Sequence, residues 1–345
     1  MGSQNWSRRT LACLASLVII VGLIPSPAAA QYAITNLVSN QAGKAKHQDK
    51  ELVNAWGMSF FPGSPFWISD NGTGVTTFYN SKGVKQGQVA VPPKCSTPGC
   101  AVTGQVANST SDFVVSQGGK SGAALFIFDT FEPGTISGWN PSVNSGSAVV
   151  AFTATDGAWY TGLATGVNNK ANFLYAADMI GNKVDIIDGT FKKVGAFSDP
   201  KLTGFTVYNV QNINNKLYVT FVDSSFSKGA VDIFDTTGKL IKTFTKNAHL
   251  KAPWGVALAP KNFGPVSNAL LVGNLADGRI NAFNATTGKF MTQLKDTSNK
   301  VISIDGLWSL AFGQGGGMNG NPNQLFFTAG PNGYANGLFG VINFK

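Results

Sequence analysis

Short apolar runs separated by turn residues recur along the chain after residue 31. The clearest set lies in residues 252–294, where the connections between four runs include Asp277-Gly278 and Thr287-Gly288. Asp-Gly between two apolar runs is a strong hairpin signal, because glycine accepts the positive φ of a tight turn. This segment therefore predicts one antiparallel sheet of four strands, the size of a single propeller blade.

The same pattern occurs six times. Aligning the copies on the start of their first strands gives six equivalent positions: Gly57, Gly104, Gly162, Asn209, Gly255 and Ser309. These positions are roughly 46 to 58 residues apart, a spacing typical of propeller blades. In each copy the second run is continuously apolar, as expected of a strand that neighbouring blades cover on both faces. No segment after residue 31 has a sustained helical period, so the sequence predicts an all-β, six-bladed β-propeller.

The two ends of the repeat array are complementary. The last copy contains only three strands and ends at Phe344, whereas the run Tyr32–Ser39 stands alone before the first copy. We predict that this N-terminal strand joins the last blade, which closes the ring and removes exposed sheet edges. Residues 31–345 should therefore form a single domain of four-stranded antiparallel blades.

Residues 1–30 have the layout of a secretory signal peptide. Arg8 and Arg9 precede the apolar run Leu11–Ile24, and Ala28-Ala29-Ala30 offers a cleavage site before Gln31. The apolar run is shorter than the roughly twenty residues that a spanning helix needs, although an uncleaved anchor is the alternative. No later apolar run is long enough to span a bilayer. We expect a secreted, extracellular protein without membrane attachment after cleavage, located in the periplasm or cell wall if the source is bacterial.

The charge of the chain argues against one class of partner. Loss of Arg8 and Arg9 lowers the formal net charge from +9 to +7. The lysines are scattered and form no basic stripe, so nucleic acid is not an expected partner. A diffuse positive surface suits an anionic matrix or cell-wall polymer, or is ordinary solvated charge. We expect a monomer with an extracellular ligand or polymer as its partner.

Two cysteines remain once Cys13 leaves with the signal peptide. Cys95 and Cys100 flank Pro98-Gly99, and in an oxidising compartment they can close a small disulfide loop. Metal binding is the alternative, but the neighbouring sequence contains no histidine or further cysteine to complete a site. The N-glycosylation pattern also occurs, at Asn71, Asn108 and Asn284.

Several segments together resemble a known family. They include NAWGMSF at residues 54–60, FWISDNGTGVTTFYNSKG at 66–83, APWGVALAP at 252–260, LLVGNLADGRINAFN at 270–284 and LFFTAGPNG at 325–333. This pattern resembles an uncharacterised family of exported, NHL-like six-bladed propeller proteins. The resemblance covers nearly all of residues 31–345 and implies the same fold and export. It implies no particular activity and no catalytic residues, because the family has none assigned.

Propellers carry ligand-binding and catalytic groups around the central channel, in loops between blades and between middle strands. The candidate ligand-binding residues at such positions are Asn54, Trp56, Asp70, Asp178, Gln211, Trp254, Asn274, Asp305 and Trp308. Their carboxylate and amide oxygens suit Ca²⁺ or another divalent cation. The alternative is structural: Asp and Asn at strand ends hold the following turns, and the tryptophans pack between blades. We expect no resident cofactor, with a divalent ion as the alternative.

The sequence favours a binding function over catalysis. The residues best suited to acid–base work are few, namely Glu51, Glu132, His47 and His249, and none is clearly placed as an axial group. No nucleophile elbow or phosphate-loop spacing occurs. Our leading hypothesis is an extracellular binding module for a carbohydrate, cell-wall polymer or protein. The alternative is a metal-assisted, lactonase-like hydrolase or lyase with an axial Asp/Asn site. Features that differ between blades should mark the site, namely Asp305, Gln211, Glu51 and the Cys95–Cys100 loop.

Overall fold

The computed structural model describes Met1, residues 31–93 and residues 101–345. Within these residues the chain forms six blade sheets around a central channel, one separate two-stranded sheet and one short 3₁₀ helix. The predicted all-β, six-bladed propeller is therefore confirmed. The disulfide predicted between Cys95 and Cys100 lies outside the described residues, as does the signal peptide predicted over residues 1–30, apart from Met1.

The strands are numbered in chain order and grouped into blades from the channel outwards. Two strands precede the first blade: β1 (Tyr32–Ser39) and β2 (His47–Gln48). Blade 1 contains β3 (Ala55–Ser59), β4 (Phe66–Asp70), β5 (Val75–Tyr79) and β6 (Lys85–Ala90). Blade 2 and its inserted hairpin contain β7 (Val102–Ala107), β8 (Val114–Gln117), β9 (Lys120–Ala123), β10 (Phe126–Thr130), β11 (Thr135–Trp139) and β12 (Val149–Thr153).

The remaining blades follow the same order. Blade 3 contains β13 (Tyr160–Asn168), β14 (Ala171–Asp178), β15 (Lys183–Asp188) and β16 (Lys193–Phe197). Blade 4 contains β17 (Phe205–Ile213), β18 (Lys216–Asp223), β19 (Gly229–Phe234) and β20 (Leu240–Lys246). Blade 5 contains β21 (Pro253–Leu258), the 3₁₀ helix Gly264–Val266, β22 (Ala269–Asn274), β23 (Ile280–Asn284) and β24 (Phe290–Gln293). Blade 6 contains β25 (Leu307–Phe312), β26 (Gln324–Ala329) and β27 (Leu338–Phe344).

The first and last strands of the domain close the ring. β1 pairs antiparallel with β27, so that blade 6 has the strand order β2-β1-β27-β26-β25. The register runs from Tyr32 opposite Phe344 to Ser39 opposite Leu338. The predicted closure by the N-terminal strand is confirmed.

Strands inside the disc are more deeply buried than strands at its rim. Every residue of β4, β10 and β22 is buried, because these second strands are covered by neighbouring blades on both faces. The outermost strands β16 and β24 are partly exposed along their whole length. The unbroken apolar runs in the sequence therefore correspond to the sandwiched second strands.

The innermost strands approach one another most closely at a bulge that recurs in all six blades. At this level each innermost strand shifts its register against the second strand, for example between Ala55 and Met58. We call the ring of residues at or next to the bulge the girdle: Gly57, Gly104, Gly162, Asn209, Gly255 and Ser309. A Cβ atom on Gly57 would lie 2.6 Å from the carbonyl oxygen of Thr103 in the next blade. Glycine is needed here because two backbones meet without room for a side chain.

The two faces of the disc differ in their loops. We call the face where the innermost strands begin the entry face, and the face where they end the exit face. On the exit face, blades 3 and 4 have two-residue turns, Asn169-Lys170 and Asn214-Asn215, in which all four residues have positive φ. This is the geometry that continues the twist of a hairpin most directly. The other four blades carry longer connections, at residues 60–65, 108–125, 259–268 and 313–323.

The structure distinguishes between the three glycosylation patterns. The side chain of Asn71 is buried and donates to the carbonyl oxygens of Ala101 and Val102 at 3.3 and 3.2 Å. Asn108 is also buried, and its amide donates to the carbonyl oxygen of Ala124 at 2.8 Å. Asn284 is exposed. Only Asn284 among the three is therefore accessible for modification in the folded protein.

Candidate functional site

Aromatic side chains close the channel at the entry face. Trp56 and Trp308 stack with their ring centroids 3.7 Å apart, and Trp254 lies edge-on to them at 6.3 and 5.8 Å. Trp254 crosses the axis, since its Nε1 donates to the carbonyl oxygen of Thr161 in blade 3 at 2.9 Å. With the neighbouring Tyr208 they form what we call the aromatic plug. The three tryptophans thus pack on one another across the channel axis rather than only between neighbouring blades.

The predicted aspartate and asparagine residues at the strand ends lie in separate blades. Asp70 accepts a hydrogen bond of 2.7 Å from the Thr77 hydroxyl, and burial raises its pKa well above the ordinary value. Asp178 accepts from the backbone N–H groups of Gly181 and Trp159 at 2.9 and 3.1 Å. Asn274 is the equivalent residue in blade 5 and forms different hydrogen bonds. Asn274 donates to the carbonyl oxygen of His249 and to the carboxylate of Asp277. All three side chains are thus hydrogen-bonded within their own blades.

Asp129 supports the girdle. Its Oδ1 accepts from the Thr103 hydroxyl at 2.7 Å and from the backbone N–H of Gly104. Burial raises its pKa to about 6. It lies one position before the strand-end residues Asp70 and Asp178, so it points at the bulge of its own innermost strand. The sequence pattern did not separate these two positions.

Two further candidates hold loops on the entry face. Asp305 is exposed, and its carboxylate accepts a hydrogen bond of 2.8 Å from the backbone N–H of Asn332. Asn54 is buried with a positive φ of 49°, and its amide joins Trp308 and Asn71 at 3.1 and 3.0 Å. Both arrangements fix the loops around the aromatic plug.

One group of three carboxylates comes together among the described residues, outside the channel. Carboxylate oxygens of Asp156, Asp178 and Asp185 lie within 4.8 Å of one another. Lys193 binds Asp185 at 2.7 Å and Asp156 at 2.8 Å, while Lys183 also binds Asp156 at 2.8 Å. Hydrogen bonds from the two lysines hold the pKa of Asp156 below its usual range. Because two ammonium groups already neutralise these carboxylates, the group is an ion-pair network.

A cavity lies on the opposite side of the girdle from the aromatic plug. It has a volume of about 560 Å³, opens on the exit face, and is lined by the innermost strands of all six blades. We call this cavity the basin. Its inner end reaches the girdle at Gly57, Gly104 and Asn209, with Trp254 beyond. The basin is therefore blind, since the girdle and the aromatic plug close the channel behind it.

Amide side chains form the polar part of the basin wall. Gln105 donates to the carbonyl oxygen of Gly57 at 2.9 Å and accepts from the Ser59 hydroxyl at 3.3 Å. On the opposite side of the ring, Asn209 donates to the carbonyl oxygen of Trp254 at 2.8 Å. Asn212 donates to the carbonyl oxygen of Thr165 at 2.6 Å, which leaves its own amide oxygen for a ligand. Gln211 is partly exposed and its amide has no hydrogen-bond partner among the described residues.

Comparison of equivalent positions shows where the ring departs from its repeat. In the first tier beyond the girdle, blade 2 supplies an amide where the other blades supply apolar residues: Met58, Gln105, Leu163, Val210, Val256 and Leu310. In the next tier, blade 4 supplies an amide among smaller residues: Ser59, Val106, Ala164, Gln211, Ala257 and Ala311. Sequence analysis singled out Gln211 for this reason and missed Gln105. Aligning the six copies residue by residue carries the signal for both.

The chemistry of the basin is that of a neutral, amphipathic site. Its described lining combines amides and hydroxyls with the apolar side chains of Phe60, Leu258 and Phe312, and includes no ionisable side chain. An amide offers both a donor and an acceptor, so it can match a ligand hydroxyl, which is also both. The volume lies within the range of ordinary ligand pockets. The arrangement can bind a neutral polar molecule, while proton transfer by a side chain would require groups from elsewhere.

The chain is similar to an uncharacterized viral protein over most of its length. The protein R648 of Acanthamoeba polyphaga mimivirus is 30% identical, with coverage of 92% of this chain and 82% of the relative. A scan against protein-family models finds no match.

Solved structures with the same architecture belong to proteins of different activities. A streptogramin B lyase has a TM-score of 0.53 at 12% identity, covering 92% of this chain and 98% of the other. The PQQ-bound aldose sugar dehydrogenase from Streptomyces coelicolor has a TM-score of 0.56 at 12% identity, covering 92% and 99%. At this identity the likeness shows the propeller fold alone.

Proposed function

This chain belongs to the family of the mimivirus protein R648, and we propose that it is an extracellular binding module whose basin takes a neutral carbohydrate. The observation that carries the proposal is the composition of the basin wall. Six residues with amide side chains line a cavity of about 560 Å³, and the described lining contains no ionisable side chain. A site of this kind gains affinity from hydrogen bonds to hydroxyl groups and from apolar contact with sugar ring faces.

The amides of the basin are already oriented before a ligand arrives. Gln105, Asn209 and Asn212 each donate to a backbone carbonyl at 2.6 to 2.9 Å, and these carbonyls belong to neighbouring blades. A fixed amide loses little conformational entropy when it binds, so more of its interaction energy contributes to affinity. A ligand that lacks hydroxyl groups would cover the amide oxygen of Asn212 without offering it a donor, which disfavours such a ligand.

The lactonase-like alternative has less support. It needs aspartate and asparagine side chains that converge on the channel axis, but Asp70, Asp178 and Asn274 are hydrogen-bonded within their own blades. The carboxylate group around Asp156 contains two lysines and lies in blade 3, away from the basin. A binding module accounts for the cavity that is present.

Binding of a neutral oligosaccharide should depend on Gln211. We expect isothermal titration of the purified protein to detect binding of at least one of maltohexaose, cellohexaose, chitohexaose and mannohexaose. Gln211→Ala should weaken that binding about tenfold, since one lost hydrogen bond is worth roughly 1.4 kcal/mol. Gln86→Ala is the matched control, because Gln86 is exposed on an outer strand of blade 1.

Salt dependence separates this proposal from attraction by surface lysines. Binding in an uncharged basin should change by less than about twofold between 50 and 500 mM NaCl, since no charge pair is screened. Failure of all four hexasaccharides to bind would contradict the proposal. So would binding of an anionic polymer alone, with an affinity that falls steeply with salt.

We also propose export directed by residues 1–30. The placement of the first described strand supports this, because β1 begins at Tyr32 and the backbone N–H of Lys345 donates to the carbonyl oxygen of Gln31 at 3.1 Å. Cleavage before Gln31 would therefore leave the closing strand intact. Expression of the full chain should release a protein whose N-terminal residue is Gln31, as read by Edman degradation or mass spectrometry. Retention of residues 1–30 in the released protein would contradict cleavage at this site.

A further inference from the structure

A second cavity adjoins the basin on one side. It has a volume of about 210 Å³ and is lined by residues of blades 2, 3 and 4, among them Thr110, Phe113, Val167, Asn172 and Asn215. Ala107, Thr165 and Asn212 line both cavities, so the two are neighbours across a shared wall. We call this second cavity the side groove.

The lengths of the exit-face loops explain why the groove lies here. The inner hairpins of blades 3 and 4 end in the two-residue turns Asn169-Lys170 and Asn214-Asn215, so no longer connection covers the basin there. The connection of blade 2 forms the far side of the groove with residues that precede its inserted hairpin, among them Thr110 and Phe113. Longer connections follow the innermost strands of blades 1, 5 and 6. An extended ligand in the basin can therefore continue into the side groove, which shares part of its lining with the basin.

The groove is polar and its side chains are held in place. The amide of Asn215 donates to the carbonyl oxygen of Val167 at 3.2 Å, and its oxygen accepts from the Val167 N–H at 3.3 Å. Asn172 donates to the carboxylate of Asp112 at 2.8 Å, which leaves its amide oxygen unengaged. The buried ring of Phe113 supplies an apolar floor. The groove thus repeats the amide and aromatic chemistry of the basin at smaller size.

Resting on the proposed carbohydrate function, we propose that the basin and the side groove together bind the end of one unbranched neutral oligosaccharide. The terminal sugar unit lies in the basin, and the next units leave through the side groove over the short turns of blades 3 and 4. The chain end is required because the girdle and the aromatic plug block the channel, so no chain can thread through it. The side groove has a volume of only about 210 Å³, which favours an unbranched chain near the end.

Blocking the groove should shorten the recognised ligand without affecting the basin. Val167 is 46% exposed at the tip of the blade 3 hairpin and lines the groove. We expect Val167→Trp to weaken binding of the hexasaccharide that binds best about tenfold, down to the affinity of its monosaccharide. Binding of the monosaccharide, which occupies the basin alone, should stay within about twofold of the unsubstituted protein. Val194→Trp is the control, because Val194 is 56% exposed on the outer strand of the same blade.

Stoichiometry gives a second test that needs no substitution. With soluble polymers of the same linkage, about 20 and about 100 units long, end recognition predicts the same number of bound proteins per chain by sedimentation velocity. Bound protein that increases in proportion to chain length would overturn the end-binding proposal, as would a Val167→Trp protein with unchanged hexasaccharide affinity. In both cases the carbohydrate function would stand. If none of the hexasaccharides binds, both proposals fail.

Discussion

Replacing Gly57 by alanine is expected to lower the free energy of unfolding by about 3 kcal/mol, at the upper end of typical overpacking costs. The new Cβ atom would lie 2.6 Å from the Thr103 carbonyl oxygen and 3.1 Å from the Gln105 backbone nitrogen. Both atoms belong to the backbone of the next innermost strand, which cannot rotate away as a side chain could. Relief requires two blades to move apart at the narrowest level of the ring, where the other blades are equally close.

Gly104→Ala should act in the same way, since its Cβ atom would lie 2.5 Å from the backbone nitrogen of Leu163. Gly195→Ala is the matched control. Gly195 lies in an outer strand, and the nearest atom to its added Cβ is Ile186 Cδ1 at 3.7 Å. Denaturant unfolding measures all three variants. If the free energies of unfolding of the girdle variants lie within about 0.5 kcal/mol of that of the Gly195 variant, the blades can separate freely. That result would contradict close contact at the girdle.

The Asp232→Asn protein is expected to be more stable than the unsubstituted protein at pH 8 by about 2 to 4 kcal/mol. Asp232 is fully buried in β19, and burial raises its pKa to about 7, with the nearby Asp199 carboxylate adding to the rise. The folded protein therefore holds a proton that the unfolded chain releases near pH 4. As pH rises from about 4 to about 7, the ionisation of Asp232 progressively lowers the free energy of unfolding. Asparagine does not ionise, so the variant does not lose this part of its stability.

Near pH 4 the two proteins should have similar stability, because Asp232 is then protonated in the folded state. Part of the pH dependence should persist in the variant, since burial also raises the pKa of Asp129 to about 6 and that of Asp70. Asp235→Asn is the control. The pKa of Asp235 is lowered, with hydrogen bonds from Thr237 and Lys239 to its carboxylate, so this variant should gain nothing at pH 8. Thermal unfolding between pH 4 and pH 8 measures the stability of all three proteins. An Asp232→Asn protein that is no more stable than the unsubstituted protein at pH 8 would contradict this prediction.

The architecture could be predicted from the sequence because every blade has the same arrangement of buried strands and turns. A second strand such as β22 is covered on both faces, so its residues form an unbroken apolar run, and turns with Gly or Asn follow it. The isolated strand Tyr32–Ser39 had no partner of its own, and the last copy lacked a strand. The isolated strand could therefore complete the last copy, and in the structure β1 pairs with β27.

The position of the cavity could not be predicted in the same way. Propeller loops directed attention to the entry face, where Trp56, Trp254 and Trp308 instead close the channel. Adjacent tryptophan and glycine residues are a local pattern, whereas a stack across the axis depends on how six blades meet. The cavity on the exit face depends on loop length and on side-chain size at equivalent levels of the ring.

Individual site residues were recognisable only where they broke the repeat. Gln211 stands among serine, valine and alanine at its level, so comparison of copies was enough to select it. Asp70 and Asp178 attracted attention because carboxylates are chemically versatile, but their partners are local hydroxyl and backbone groups. The ligand-binding roles of these residues remain predictions, and the titration of Gln211→Ala tests that of Gln211. In a repeat protein, a residue that recurs in every copy stabilises the blade. A residue that differs from its equivalents in the other copies is better evidence for a binding site.

The pairing of β1 with β27 also determines when the molecule can finish folding. Most blades pair strands that are neighbours in sequence, so they can form one after another as the chain leaves the ribosome. Tyr32 and Phe344, by contrast, meet only after the last strand has been synthesised. Contacts so distant along the chain form slowly. Until they form, blade 6 exposes an unpaired strand edge, which is the surface most prone to pairing with other nascent chains.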